Sequence, residues 1–142
     1  MPAGEKQPWR SRHVYHSTET HTAAIGDEEG HLITFFASRG IGFLEEGKTY
    51  QIDTHGYMDA YEMSASGQGY AEFTFADGAT VVAKWQAEKE GAGEWTGSMA
   101  FVKGTGGFAG LEGGGTLQGY FVASDLFYAD VVAEYSLQGQ GD

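Results

Sequence analysis

An all-β chain folded as an eight-stranded antiparallel β-barrel is what this sequence predicts, on three observations. Polarity alternates with a period of two from Arg12 onward, with no convincing stretch of helical period. Clusters of Gly, Asp and Ser interrupt the alternation at spacings suited to strands joined by short connections. Eight of the 23 glycines crowd into residues 104–119, where they read as bends at a barrel corner. Short connections make sequence neighbours antiparallel. Eight such strands in a lipocalin-like up-and-down meander close without exposed edges.

Residues 1–11 read as an N-terminal tail and residues 12–142 as a single barrel domain, a length that supports a sizeable core. The expected strands are 12–25, 31–39 (or on to Leu44), 48–63, 67–76, 79–87, 94–103, 114–123 and 127–137. In the first strand two rows compete for the interior. One is Val14, His16, Thr18, Thr20 and Thr22; the other is Tyr15, Ser17, Glu19, His21, Ala23 and Ile25. Alternation does not choose between them. Strand 48–63 turns Tyr50, Ile52, Thr54 and Met58 inward, leaving Gln51, Asp53, His55, Tyr57, Asp59 and Tyr61 outside. At Asp77-Gly78, a three-residue loop with Gly78 left-handed pairs Phe75 with Ala79 and Phe73 with Val81. That register gathers Ala71, Phe73, Phe75, Val81, Ala83 and Trp85 on one face, whereas a two-residue turn mixes polar and apolar side chains on both. Later strands direct Trp95, Met99 and Phe101, then Leu117 and Phe121, then Phe127, Val131, Tyr135 and Leu137 inward.

Composition removes several function classes. A formal charge of −12, with three arginines and five lysines scattered along the chain, argues against nucleic acid and anionic membranes as partners. The absence of cysteine excludes disulfides, thiolate metal sites and a cysteine nucleophile. Met1 to Arg12 has no apolar core of a secretory signal and no run approaches a membrane span, so a cytoplasmic location is expected. The glycine run precedes no helix and lacks a Gly-Lys-Ser/Thr ending, which argues against a phosphate loop. No Gly-x-Ser-x-Gly is present for serine hydrolysis.

The residues able to carry chemistry lie on the first and third strands. Glu19 and His21, two apart, suit a general acid/base pair if their row, which includes Tyr15, faces inward; facing outward, they are solvated surface. Asp53, His55 and Tyr57 form an i, i+2, i+4 line suited to an oriented base and a hydroxyl donor. Parity places that line outside, where Tyr57 and Tyr61 would suit a subunit interface. His13 and His21 stand roughly 27 Å apart along a strand and cannot share an ion, so no metal is expected. Phe73, Phe75, Trp85, Trp95, Met99, Phe101, Phe121, Phe127 and Tyr135 form the expected wall for a small apolar ligand. Small residues among them, Ala83, Gly97, Gly119, Ala129 and Ala133, leave room for one.

The stretch Gly104-Thr105-Gly106-Gly107-Phe108-Ala109-Gly110-Leu111-Glu112-Gly113 resembles the Gly-Thr-Gly-x-Phe-x-Gly-x-x-Gly segment of the allene oxide cyclase and dirigent proteins. As in that superfamily, it stands between apolar strands. The resemblance implies an eight-stranded barrel, a cavity for an apolar or aromatic small molecule, no cofactor, and a homo-oligomer, dimer or trimer. Allene oxide cyclases carry a glutamate on the first strand, where Glu19 lies, but the flanking residues differ and the cyclase cysteine has no counterpart. The expected function is a cofactor-independent cyclase- or isomerase-like enzyme acting on a small apolar or aromatic molecule, with or without oxygen substituents. The alternatives are a non-catalytic lipocalin-like carrier or sensor, and a structural protein with a filled barrel.

Overall fold

The computed structural model describes residues 5–91 and 93–138. The strands are β1 (Gln7–Ala24), β2 (Leu32–Leu44), β3 (Thr49–Ala60), β4 (Ser64–Phe75), β5 (Thr80–Glu90), β6 (Trp95–Gly104), β7 (Leu111–Ala123) and β8 (Leu126–Leu137). Each pairs with its sequence neighbour, and β1 pairs with β8, closing an all-antiparallel barrel. The Asp77-Gly78 connection has the expected register. The amide of Phe75 donates to Ala79 and that of Gly78 to Phe75, Phe73 lies opposite Val81, and Gly78 has a φ of 91°.

One boundary differs in a way that matters. β1 begins at Gln7, inside the stretch expected to be a tail, and Trp9 sits opposite Ala133 of β8. Outward-facing Arg10 and Arg12, with Pro8, give this segment a polar look. Its inward row of Trp9, Ser11 and His13 is buried. Trp9 is only 1% exposed and its ring lies 5.1–6.1 Å from those of Phe101, Tyr50, Phe108, Phe73, Tyr135 and Phe75. These side chains fill the end of the barrel that carries the β2–β3, β4–β5 and β6–β7 connections.

The glycine run bends the chain over that filled end. A short 3-10 turn, Gly106–Phe108, follows β6 and directs Phe108 onto Phe75 and Trp9. Gly110 leaves the turn at φ 82°, and a Cβ there would collide with the carbonyl oxygen of Gln138, so a side chain is excluded on both counts. In the other half of the barrel, Gly56 gives space to an aromatic: a Cβ at that position would lie 2.8 Å from Cζ2 of Trp85.

The β1–β2 connection at the opposite end is fixed by one histidine. His31 bonds the Asp27 carboxylate through Nδ1 and the Asp59 carboxylate through Nε2, both at 2.5 Å, and stacks on Tyr61 at 4.1 Å. Hydrogen bonds to the two carboxylates raise the His31 pKa above its ordinary 6.5, and the bond to His31 lowers that of Asp27 below 3.8.

Two outcomes test this packing. Trp9→Ala is expected to destabilise the fold by about 3–5 kcal/mol in urea unfolding, because it empties a site surrounded by six rings. The His31 contribution, arising from a raised pKa, is fully present below the unfolded-state value of 6.5 and lost as pH rises through the higher folded value. The Tm difference between wild type and His31→Asn should therefore be larger at about pH 5.5 than at about pH 9. A difference independent of pH would mean the imidazole is held neutral.

Candidate functional site

Beyond the filled end the interior opens into a cavity of about 210 Å³. Its wall is largely apolar: Phe36, Met58, Phe73, Trp85, Trp95, Met99, Leu117, Phe121 and Phe127 contribute, with Ala71, Ala83, Ala87 and Ala129 giving the space. Among the described residues, the lining includes no carboxylate, lysine or arginine. Its polar members are His13, Tyr15, Ser17, Thr20, Ser38, Thr54 and Ser124.

A hydrogen-bonded cluster separates the cavity from the filled end. His13, on β1, meets the Tyr15 hydroxyl through Nδ1 at 2.5 Å and the Tyr50 hydroxyl through Nε2 at 2.6 Å. Ser11 Oγ lies 3.0 Å from the same Nε2. The imidazole also packs edge-on against Phe73. Burial lowers the His13 pKa to about 3, so the ring is neutral under ordinary conditions. Burial also raises the pKa values of Tyr15 and Tyr50, which keeps both phenols protonated. Elsewhere in the lining, the Thr54 hydroxyl and the indole N–H groups of Trp85 and Trp95 are buried without a hydrogen-bond partner among the described residues.

The first strand contains the main departure from simple alternation. Ser17 pairs with Ser38 and Glu19 with Ala37, which leaves Thr18 as the extra residue of a β-bulge. Tyr15 and Ser17 face the cavity on one side of the bulge, and Thr20, opposite Phe36, faces it on the other. Glu19 and His21 consequently lie outside. They bond each other at 2.7 Å with side chains 65% and 70% exposed. The bulge thus separates Tyr15 from the two residues with which alternation grouped it.

The third-strand line is also external. Asp53 bonds Arg39, His55 is exposed, and the Tyr57 hydroxyl accepts from Gln68 Nε2 at 2.8 Å. Of the aromatic and Met residues expected to line a cavity, Phe73, Trp85, Trp95, Met99, Phe121 and Phe127 do so. Phe75, Phe101 and Tyr135 face inward but surround Trp9 in the filled end, so they do not line the cavity. Alternation identifies which face a residue takes, but not how deep in the barrel it sits.

Sequence reasoning missed the cluster of Ser11, His13 and Tyr50. A signal was present: Trp9, Ser11, His13 and Tyr15 alternate continuously, and reading the strand back to Gln7 would have placed His13 on the inner face. The assembled groups are neutral hydrogen-bonding side chains in an apolar enclosure. They can orient a ligand and stabilise a developing partial charge, but a histidine with a pKa of about 3 is a poor base at neutral pH. Among the described residues, no group of three or more His, Asp or Glu is arranged to hold a metal ion.

No protein-family model matches the chain, and no curated protein sequence does. Solved structures do match. The pterocarpan synthase dirigent protein GePTS1 aligns with a TM-score of 0.54 at 15% identity, over 96% of this chain and 91% of that one. At that identity the likeness is one of fold: the chain has the closed eight-stranded barrel found in a dirigent protein.

Proposed function

We propose that the barrel binds one small, uncharged, largely aromatic molecule and steers its cyclisation or isomerisation by confinement, as dirigent and allene oxide cyclase-like proteins do. The observation that carries this reading is the cavity itself, apolar on its walls and closed below by the neutral His13 cluster. An engineered protein cavity of about 150 Å³ accommodates benzene, so a cavity of about 210 Å³ suits one or two fused rings, with larger substituents in the mouth. Charged ligands are disfavoured because no opposite charge lines the wall to offset their desolvation. The named activity of the pterocarpan synthase neighbour supports small-molecule steering as the chemistry to test.

Steering in such a site relies on holding one conformer and on hydrogen bonds to it, since the outward Glu19 and His21 leave it without a strong base. That same neutrality favours a second reading, a carrier or sensor that holds its ligand without turnover. A substrate that cyclises spontaneously to a racemate separates the two. The steering protein gives an enantiomeric excess without added metal or cofactor. The carrier binds the molecule and leaves the product racemic.

Binding can be measured with N-phenyl-1-naphthylamine, a neutral dye whose fluorescence rises in apolar sites. Saturable binding at one site per chain is expected, weakened about tenfold or more by Ala83→Trp or Ala87→Phe, which fill the cavity from different strand positions at a cost of about 1–3 kcal/mol in stability. Unchanged affinity in folded variants would place the dye elsewhere and overturn the reading. Affinity should also be flat between about pH 5 and about pH 8, because His13 stays neutral and Tyr15 protonated throughout.

A further inference from the structure

We infer that Tyr15 presents its hydroxyl proton to the cavity, and that the ligand is an uncharged aromatic compound bearing an acceptor oxygen, a carbonyl or an ether, seated against that hydroxyl. The inference rests on the small-molecule reading above and names the ligand class of the same site.

A proton count leads to it. Neutral His13 has one N–H and one lone pair, shared between two nitrogens that both have phenolic neighbours. The Tyr50 hydroxyl is in the solid part of the barrel, with Tyr50 only 3% exposed; it lies 2.6 Å from His13 Nε2, and the buried Ser11 hydroxyl lies 3.0 Å from the same nitrogen. If Nε2 carried the proton, three donors, Nε2–H and the hydroxyls of Tyr50 and Ser11, would meet with only the two hydroxyl oxygens to accept, leaving one buried proton without a partner among these groups. Nε2 is therefore the lone-pair nitrogen, and Nδ1 carries the proton. Nδ1–H then donates to the Tyr15 oxygen at 2.5 Å. The Tyr15 O–H is consequently not used by the histidine. Tyr15 lines the cavity, so its proton is available to a ligand.

The rest of the lining is uncharged. The indole N–H groups of Trp85 and Trp95 are unpartnered among the described residues, but both nitrogens are buried in the wall and present no surface to the cavity, which leaves Tyr15 the donor at its floor. No cation lines the wall to receive a carboxylate, and no carboxylate lines it to receive an amine. An oxygen with lone pairs and no charge complements this inventory.

Three naphthalenes of nearly the same shape test the inference by competition with N-phenyl-1-naphthylamine: 2-acetonaphthone, its hydrocarbon isostere 2-isopropenylnaphthalene, and 2-naphthoate. Tyr15→Phe is expected to weaken 2-acetonaphthone about five- to tenfold, the range of one net hydrogen bond, while leaving 2-isopropenylnaphthalene unchanged. The naphthoate should bind weakest to wild type. Near-UV circular dichroism verifies that Tyr15→Phe folds, and 15N NMR of the imidazole should show the proton on Nδ1. Equal loss for ketone and hydrocarbon, no loss for either, or a proton on Nε2 would overturn the inference while leaving the cavity reading intact. Wild-type protein that binds neither the dye nor any naphthalene would remove the cavity reading itself.

Discussion

The burial of Trp9 is the interaction on which the rest of the barrel depends. A closed sheet of eight strands encloses a column of space that must be filled, hydrated or occupied. This chain divides the column. One large indole, ringed by Phe73, Phe75, Phe101, Phe108, Tyr50 and Tyr135, makes the lower part solid. The same residue anchors the edge at which β1 meets β8, so sheet closure and core packing are achieved by one side chain. With one end filled by buried side chains, the small residues Ala71, Ala83, Ala87 and Ala129 can leave the other end hollow without the whole fold becoming loose.

The boundary between solid and hollow is made of polar groups that hydrogen-bond one another. Ser11, His13, Tyr15 and Tyr50 bring hydroxyls and an imidazole into an environment that penalises unpaired polarity. Their burial is tolerated because none is charged, and the depressed His13 pKa is the sign of that condition. The chain carries a formal net charge of −12, and among the described residues no Asp, Glu, Lys or Arg lines the cavity. Electrostatics thus separates a surface suited to solubility from an interior suited to neutral molecules.

The fold was legible because most of the chain obeys strict alternation. Phe73, Phe75, Val81 and Ala83 sort to one face only in the Gly78-bulge register, and a one-residue slip there would have exposed the core. Half of the site was legible for the same reason: Trp85, Trp95 and Phe127 announce an inner face by size and spacing. The other half was hidden by two physical facts. The segment Gln7–Ser11 carries basic outward residues and a proline, and its apolar partner is β8, more than a hundred residues away in sequence, so nothing local marks it as a strand. Between Ser17 and Thr22 both rows are polar. No hydrophobic contrast reports the bulge at Thr18, and the parity of Glu19 and His21 is set only by pairing with β2.

That bulge has a consequence for how such a barrel can diversify. Past Thr18 the strand pairs with β2 but no longer with β8, whose ladder ends at His16. Which row of residues 19–24 looks into the mouth is therefore a property of where one surplus residue is accommodated, not of which amino acids the row contains. Accommodating that surplus beyond His21 instead of at Thr18 would exchange Thr20 for the Glu19–His21 pair at the mouth. A neutral vessel would acquire an acid and a base while every side chain in the strand stayed the same. The register past Thr18, rather than the residue types in it, thus decides whether the mouth meets a hydroxyl or an acid beside a base.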